Sequence, residues 1–87
     1  PPVLIVAPPP IDKPRGPIAA KFAGGELKCA GLSAAYREVA AAAGCAFFDA
    51  ATVTHSSRVD GVHLDADQHA RLGGALAEAV RPLLASR

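Results

Sequence analysis

An α/β fold built on a parallel sheet is what this 87-residue sequence predicts. Two short apolar runs, VLIVA at Val3–Ala7 and CAFF at Cys45–Phe48, read as strands. Each is followed by an irregular stretch and then by a segment of helical period. Strand and helix in alternation are the pattern of layered α/β folds with parallel strands. In such sheets the working residues gather beyond the carboxyl ends of the strands. The two loops leaving those ends are therefore where chemistry is sought.

Val3–Ala7 is apolar on both faces, which suits a strand covered by helices on each side. Pro8, Pro9 and Pro10 end it, because proline lacks the N–H that would continue the ladder. Residues 11–25 hold Pro14, Gly16, Pro17, Gly24 and Gly25, so they form a long irregular connection. Such loops in small domains are usually functional or mobile. Ile11, Ile18 and Phe22 within it predict that part folds over a pocket or contacts another chain. Glu26–Ala43 reads as one helix, with Leu27, Ala30, Gly31, Ala34, Ala35, Val39 and Ala42 stepping at three and four residues. Alanine supplies the propensity, and Gly44 sits where a left-handed cap belongs. Asp49 follows the second strand, and residues 50–63 are again loop. Asp65 suits an N-cap, with Gln68 three residues on as in a capping box. The last helix is expected at Ala66–Leu84, with Pro82 near its end. Its expected apolar stripe is Ala66, Ala70, Gly73, Leu76, Ala77, Val80 and Leu84.

Composition narrows the function classes. A chain of 87 residues is one small domain at most. Apolar residues make up 51%, which argues against a disordered segment. The net charge is +1, and the nine basic residues are scattered singly. With only Phe22, Tyr36, Phe47 and Phe48 to stack on bases, no nucleic-acid surface is expected. The longest apolar run is too short to cross a bilayer, so no membrane partner is expected either. Cys29 and Cys45 are too few for a disulfide scaffold and read as buried free thiols. There is no starting Met or signal peptide, and the chain opens directly on a strand. That abrupt start predicts a C-terminal piece of something longer.

The stretch VDGVHLDADQH, Val59–His69, concentrates the chemistry. Three readings are open. In the first, Asp60 and His63 form an acid–base pair. A carboxylate three positions ahead accepts one imidazole N–H and fixes the tautomer, which leaves the other nitrogen to take a proton from a hydroxyl nucleophile. Gly61 permits the tight turn between them. In the second, His63, Asp65, Asp67 and His69 hold zinc or iron. A helix starting near Asp65 makes convergence difficult, because Asp67 and His69 point about 200° apart at 100° per residue. In the third, Asp60–Gly61 is a plain turn, and Asp65 and Asp67 favour the positive end of the helix dipole. His69 is then a helix-surface residue and His55 a loop residue.

The succession VLIVAPPP, FAGGE opening a helix, a tyrosine-bearing helix, FFDA, and VDGVHLD before an alanine-rich last helix resembles the C-terminal half of the SGNH (GDSL-type) hydrolases. Within them it looks most like the arylesterase and acyltransferase branch. The resemblance covers nearly the whole chain. It implies the C-terminal part of a flavodoxin-like parallel sheet flanked by helices, with residues 1–87 one segment of a single domain. It implies Asp60 as the triad acid and His63 as the general base. It implies a serine esterase or acyltransferase acting on small, including aryl, esters, with no cofactor and no metal. The serine and the oxyanion-hole glycine and asparagine belong to blocks absent from this chain. Ser33, Ser56, Ser57 and Ser86 lack a G-D-S context, so none is assigned as nucleophile. Leu64 stands where many members have proline. The expected partners are a small ester, the half-domain carrying the serine, and further copies in a homo-oligomer. The cytoplasm is the favoured compartment. Residues 11–25 would border the acyl pocket and subunit contacts, with Phe22 foremost. The chain alone would be inert. A non-catalytic α/β binding or assembly module, and a His/Asp metal-binding loop, remain the alternatives.

Overall fold

Two four-residue strands, β1 (Leu4–Ala7) and β2 (Ala46–Asp49), pair in parallel in the computed structural model, which describes residues 1–85. Leu4 faces Ala46 and Ala7 faces Asp49. The crossover between them carries a 3-10 turn at Gly16–Ile18 and two helices, α1 (Gly25–Lys28) and α2 (Leu32–Ala43). A second 3-10 turn, Ala50–Thr52, leaves β2, and α3 (Ala66–Ala85) ends the described chain. The α/β layering with parallel strands is as the sequence predicts. The second strand is displaced by one residue. Cys45 N–H donates to the Ala40 carbonyl at 2.8 Å and closes α2, while Asp49 ends the ladder.

The single helix expected over Glu26–Ala43 is two helices. Gly31 adopts φ +76°, a left-handed conformation that no helix interior accommodates. Leu27 is 77% exposed and Val39 59%, so both leave the expected inner stripe. Alanine is why the phase was misread. A run of alanines fills a helix without marking one side as the apolar side.

α3 runs one residue longer than expected and is turned. Its one buried residue is Gln68, and Leu72, Ala75, Leu76, Ala79, Val80 and Leu83 lie half-buried on the same side. Ala66, Ala70, Gly73, Ala77 and Leu84 of the expected stripe are exposed. The Gln68 side chain sets this rotation. Its amide oxygen accepts from Thr54 Oγ1 at 2.8 Å and from His55 N–H at 3.1 Å. Its amide nitrogen donates to Asp67 at 3.0 Å. The side chain thus bonds to the preceding loop and to its neighbour, and does not complete a capping box with Asp65.

α2 covers both strands, and the fully buried apolar residues are Ala7, Ala40 and Ala50. No large side chain among the described residues is fully buried. Cys29 and Cys45 are free and half-buried, not buried as expected. No helix among the described residues is long and apolar enough to cross a membrane.

Candidate active site

The loop between Thr54 and α3 is closed on itself by backbone bonds. Ser57 N–H donates to the His63 carbonyl at 2.6 Å, and Gly61 N–H donates to the Ser57 carbonyl at 2.7 Å. Ser57 Oγ accepts the Val59 N–H at 3.0 Å. Ser57 is 2% exposed and acts as the hub of this ring. Gly61 takes φ +78° at the turn, and a Cβ built there would sit 2.5 Å from the Lys13 carbonyl oxygen. Only glycine satisfies both the left-handed backbone and that close approach.

This turn delivers Asp60 to His63. Asp60 Oδ1 accepts the Val62 N–H at 2.8 Å and the His63 N–H at 3.0 Å. Asp60 Oδ2 meets His63 Nδ1 at 2.7 Å. These bonds stabilise the ionised carboxylate and hold its pKa down at about 2, the Val62 N–H first and the imidazole second. An ionised carboxylate only accepts hydrogen bonds, so the proton resides on Nδ1. The lone pair of a neutral His63 is then on Nε2. That nitrogen has no partner among the described residues, and the His63 side chain is 67% exposed. A carboxylate fixed behind Nδ1 and an open, basic Nε2 together form a unit able to take a proton from a hydroxyl and return it.

The other sequence candidates are separate from this pair. His55 Nδ1 lies 3.0 Å from the Ser56 carbonyl and donates to it. Asp65, Asp67 and His69 are exposed. Among the described residues no group of three or more His, Cys, Asp or Glu side chains could hold a metal ion. The four ligands of the metal reading are therefore not brought together. The serines within the described residues have other partners besides. Ser33 Oγ donates to Asp49 Oδ2 at 2.7 Å, and Ser56 Oγ donates to the Pro10 carbonyl at 2.9 Å. Ser86 lies outside the described residues.

Two shallow depressions lie near the carboxyl ends of the strands. One, of about 320 Å³, runs from Pro8 and Pro10 across Cys29, Leu32 and Ser33 to Ala51. The other, of about 310 Å³, is lined by Pro10, Ile11, Asp12, His55, Ser56 and Arg58. Ile11 and Asp12 thus bring the start of the irregular 11–25 segment to a cavity wall. Phe22, Asp60 and His63 line neither. Sequence reasoning missed Asp12, Arg15 and Ser57. All three act chiefly on backbone groups, which no side-chain motif marks.

Comparison with known proteins finds structural relatives of the chain. No family model and no curated protein matches the chain. Solved structures do. A carbohydrate acetylesterase family member from Sinorhizobium meliloti is 41% identical with a TM-score of 0.90, over 98% of this chain and 40% of that one. The M. smegmatis aryl esterase is 40% identical with a TM-score of 0.86, over 95% of this chain and 39% of its own. A putative arylesterase from Agrobacterium tumefaciens is 43% identical with a TM-score of 0.75, over 93% of this chain and 38% of its own. The chain spans about two fifths of the length of the structures it matches. With 38–43% identity over 93–98% of its residues, the chain is similar to the C-terminal part of carbohydrate acetylesterases and aryl esterases.

Proposed function

We propose that this chain supplies the acid–base half of a serine ester hydrolase or acyltransferase. The observation that carries the reading is the Asp60 Oδ2 to His63 Nδ1 contact of 2.7 Å, with Nε2 left open. The substrates are small aryl or acetyl esters, as the names of its structural neighbours suggest. The nucleophilic serine and the oxyanion hole come from a segment outside these 87 residues. That segment extends β1 and β2 into a flavodoxin-like parallel sheet and completes a single domain, of which this chain is the C-terminal part. It covers the exposed imidazole of His63. We place the assembled enzyme in a homo-oligomer in the cytoplasm.

His63 Nε2 accepts the serine proton as the hydroxyl attacks the ester carbonyl. Asp60, held ionised by its three donors, stabilises the imidazolium that forms. His63 then returns the proton to the leaving alcohol. Water, or a second alcohol, resolves the acyl-enzyme with the same imidazole as base, giving hydrolysis or acyl transfer.

The test uses the polypeptide that joins this chain to its serine-bearing part. It should hydrolyse p-nitrophenyl acetate, and His63→Ala should lower kcat by about 10⁴-fold or more. A His63→Ala enzyme running at the wild-type rate would remove the catalytic assignment and favour a binding or assembly role.

A further inference from the structure

Residues 12–15 grip the turn that carries Asp60. Arg15 N–H donates to the Asp60 carbonyl at 2.9 Å. The Arg15 guanidinium reaches two further groups, with Nη1 donating to the Arg58 carbonyl at 2.8 Å and Nη2 to Asp12 Oδ2 at 3.0 Å. Asp12 N–H donates to the Gly61 carbonyl at 2.7 Å, and Asp12 Oδ1 accepts the Lys13 N–H at 2.8 Å. The Lys13 carbonyl in turn lies against Gly61. The carbonyls of residues 58, 60 and 61 therefore all take donors from a segment that follows β1, more than forty positions earlier in the chain.

We propose that Arg15, braced by Asp12, is a positioning residue for the Asp60–His63 pair. This rests on the esterase reading above. The side chains of Arg15 and Asp12 are 45% and 60% exposed, so their ion pair contributes little to folding. What the clamp supplies is geometry. It ties the turn bearing the carboxylate to the segment leaving β1, so the carboxylate is held from the sheet side as well as from its own loop. A planar fork gives the carbonyl and the carboxylate a nitrogen each, in fixed relative geometry. An ammonium offers one nitrogen on a flexible stem and does not fix the two acceptors in the geometry that two guanidinium nitrogens impose.

The experiment compares Arg15→Ala, Arg15→Lys and the remote α3 control Arg81→Ala in the polypeptide that joins this chain to its serine-bearing part. Arg15→Ala should lower kcat by about 10- to 100-fold with KM within about threefold, the loss seen when an orienting partner is removed. Arg15→Lys should recover little of it, and Arg81→Ala should match the wild type. The downfield proton resonance of His63 Nδ1–H should broaden or move upfield in Arg15→Ala. If Arg15→Ala does not fold, Asp12→Asn should show a smaller loss in kcat at unchanged KM. Wild-type kcat and an unmoved resonance in Arg15→Ala, or wild-type kcat in a substitute Asp12→Asn, would overturn the clamp. Activity lost in His63→Ala would still support the esterase. An inactive wild type whose His63 resonance nonetheless responds to Arg15→Ala would sink the esterase reading and keep the clamp.

Discussion

Asp60 commits both carboxylate oxygens within its own turn, to two backbone N–H groups and one imidazole. Its pKa is depressed from the usual 3.8 to about 2. A depressed carboxylate stabilises the fold above its unfolded pKa and loses that contribution as pH falls through its folded one. The contribution of the Asp60 carboxyl's own ionisation to the stability gap between wild type and Asp60→Asn should therefore be complete above about pH 5. It should shrink as the pH drops from 3.8 through about 2 in urea titrations at each pH. Held ionised, Asp60 should leave no break in kcat/KM near pH 4, where an unperturbed carboxylate titrates, and a break there would show that it is not so held. The Asp60–His63 pairing was legible in the sequence because two groups three apart on a glycine turn meet locally. Arg15 was not legible. Its partners are backbone carbonyls far along the chain, and every residue type presents the same carbonyl.

Secondary elements are oriented here by polar anchors more than by apolar stripes. Gln68 is 3% exposed, and its amide oxygen satisfies the hydroxyl of Thr54, itself 5% exposed, and the His55 N–H. Gln68→Leu keeps the volume but leaves the His55 N–H without its acceptor and Thr54 Oγ1 with only its long bond, 3.4 Å, to the backbone carbonyl of position 68. It should destabilise the protein by about 1–3 kcal/mol, measured by chemical unfolding. Gln68→Leu stability equal to wild type would show that the side-chain amide does not anchor α3. The two strands and the long helices that follow them were readable from periodicity, since strand runs and helix runs differ in length and punctuation. The facing of α2 and α3 was not. Both are rich in alanine, which gives a helix without giving it a side. In α3 the residue that points inward is an amide, opposite to what a hydrophobic pattern selects. The break at Gly31 was hidden for a related reason, because a glycine in a helical run is tolerated until a left-handed angle is imposed on it.

The molecule as a whole is more extended than its mass requires. Its radius of gyration is 14.6 Å, with extents of 45 × 28 × 17 Å. A compact chain of this length would have about 12 Å. Val3, Leu27, Val39, Val59 and Leu84 are more than half exposed, and the fully buried apolar residues are all alanines. Prepared by itself, the 87-residue chain should bind a hydrophobic dye, melt over a broad range and turn over no ester. Sharp cooperative melting without dye binding would show that it needs no covering. The parallel pairing has a temporal side. Leu4 meets Ala46 and Ala7 meets Asp49, a constant separation of 42 residues. As a ribosome extrudes the chain, β1 waits for its partner while α2, whose bonds are local, is free to wind first. A helix wound in the gap shortens the loop that sheet closure must pin, so the strand pairing is expected to follow the winding of α2.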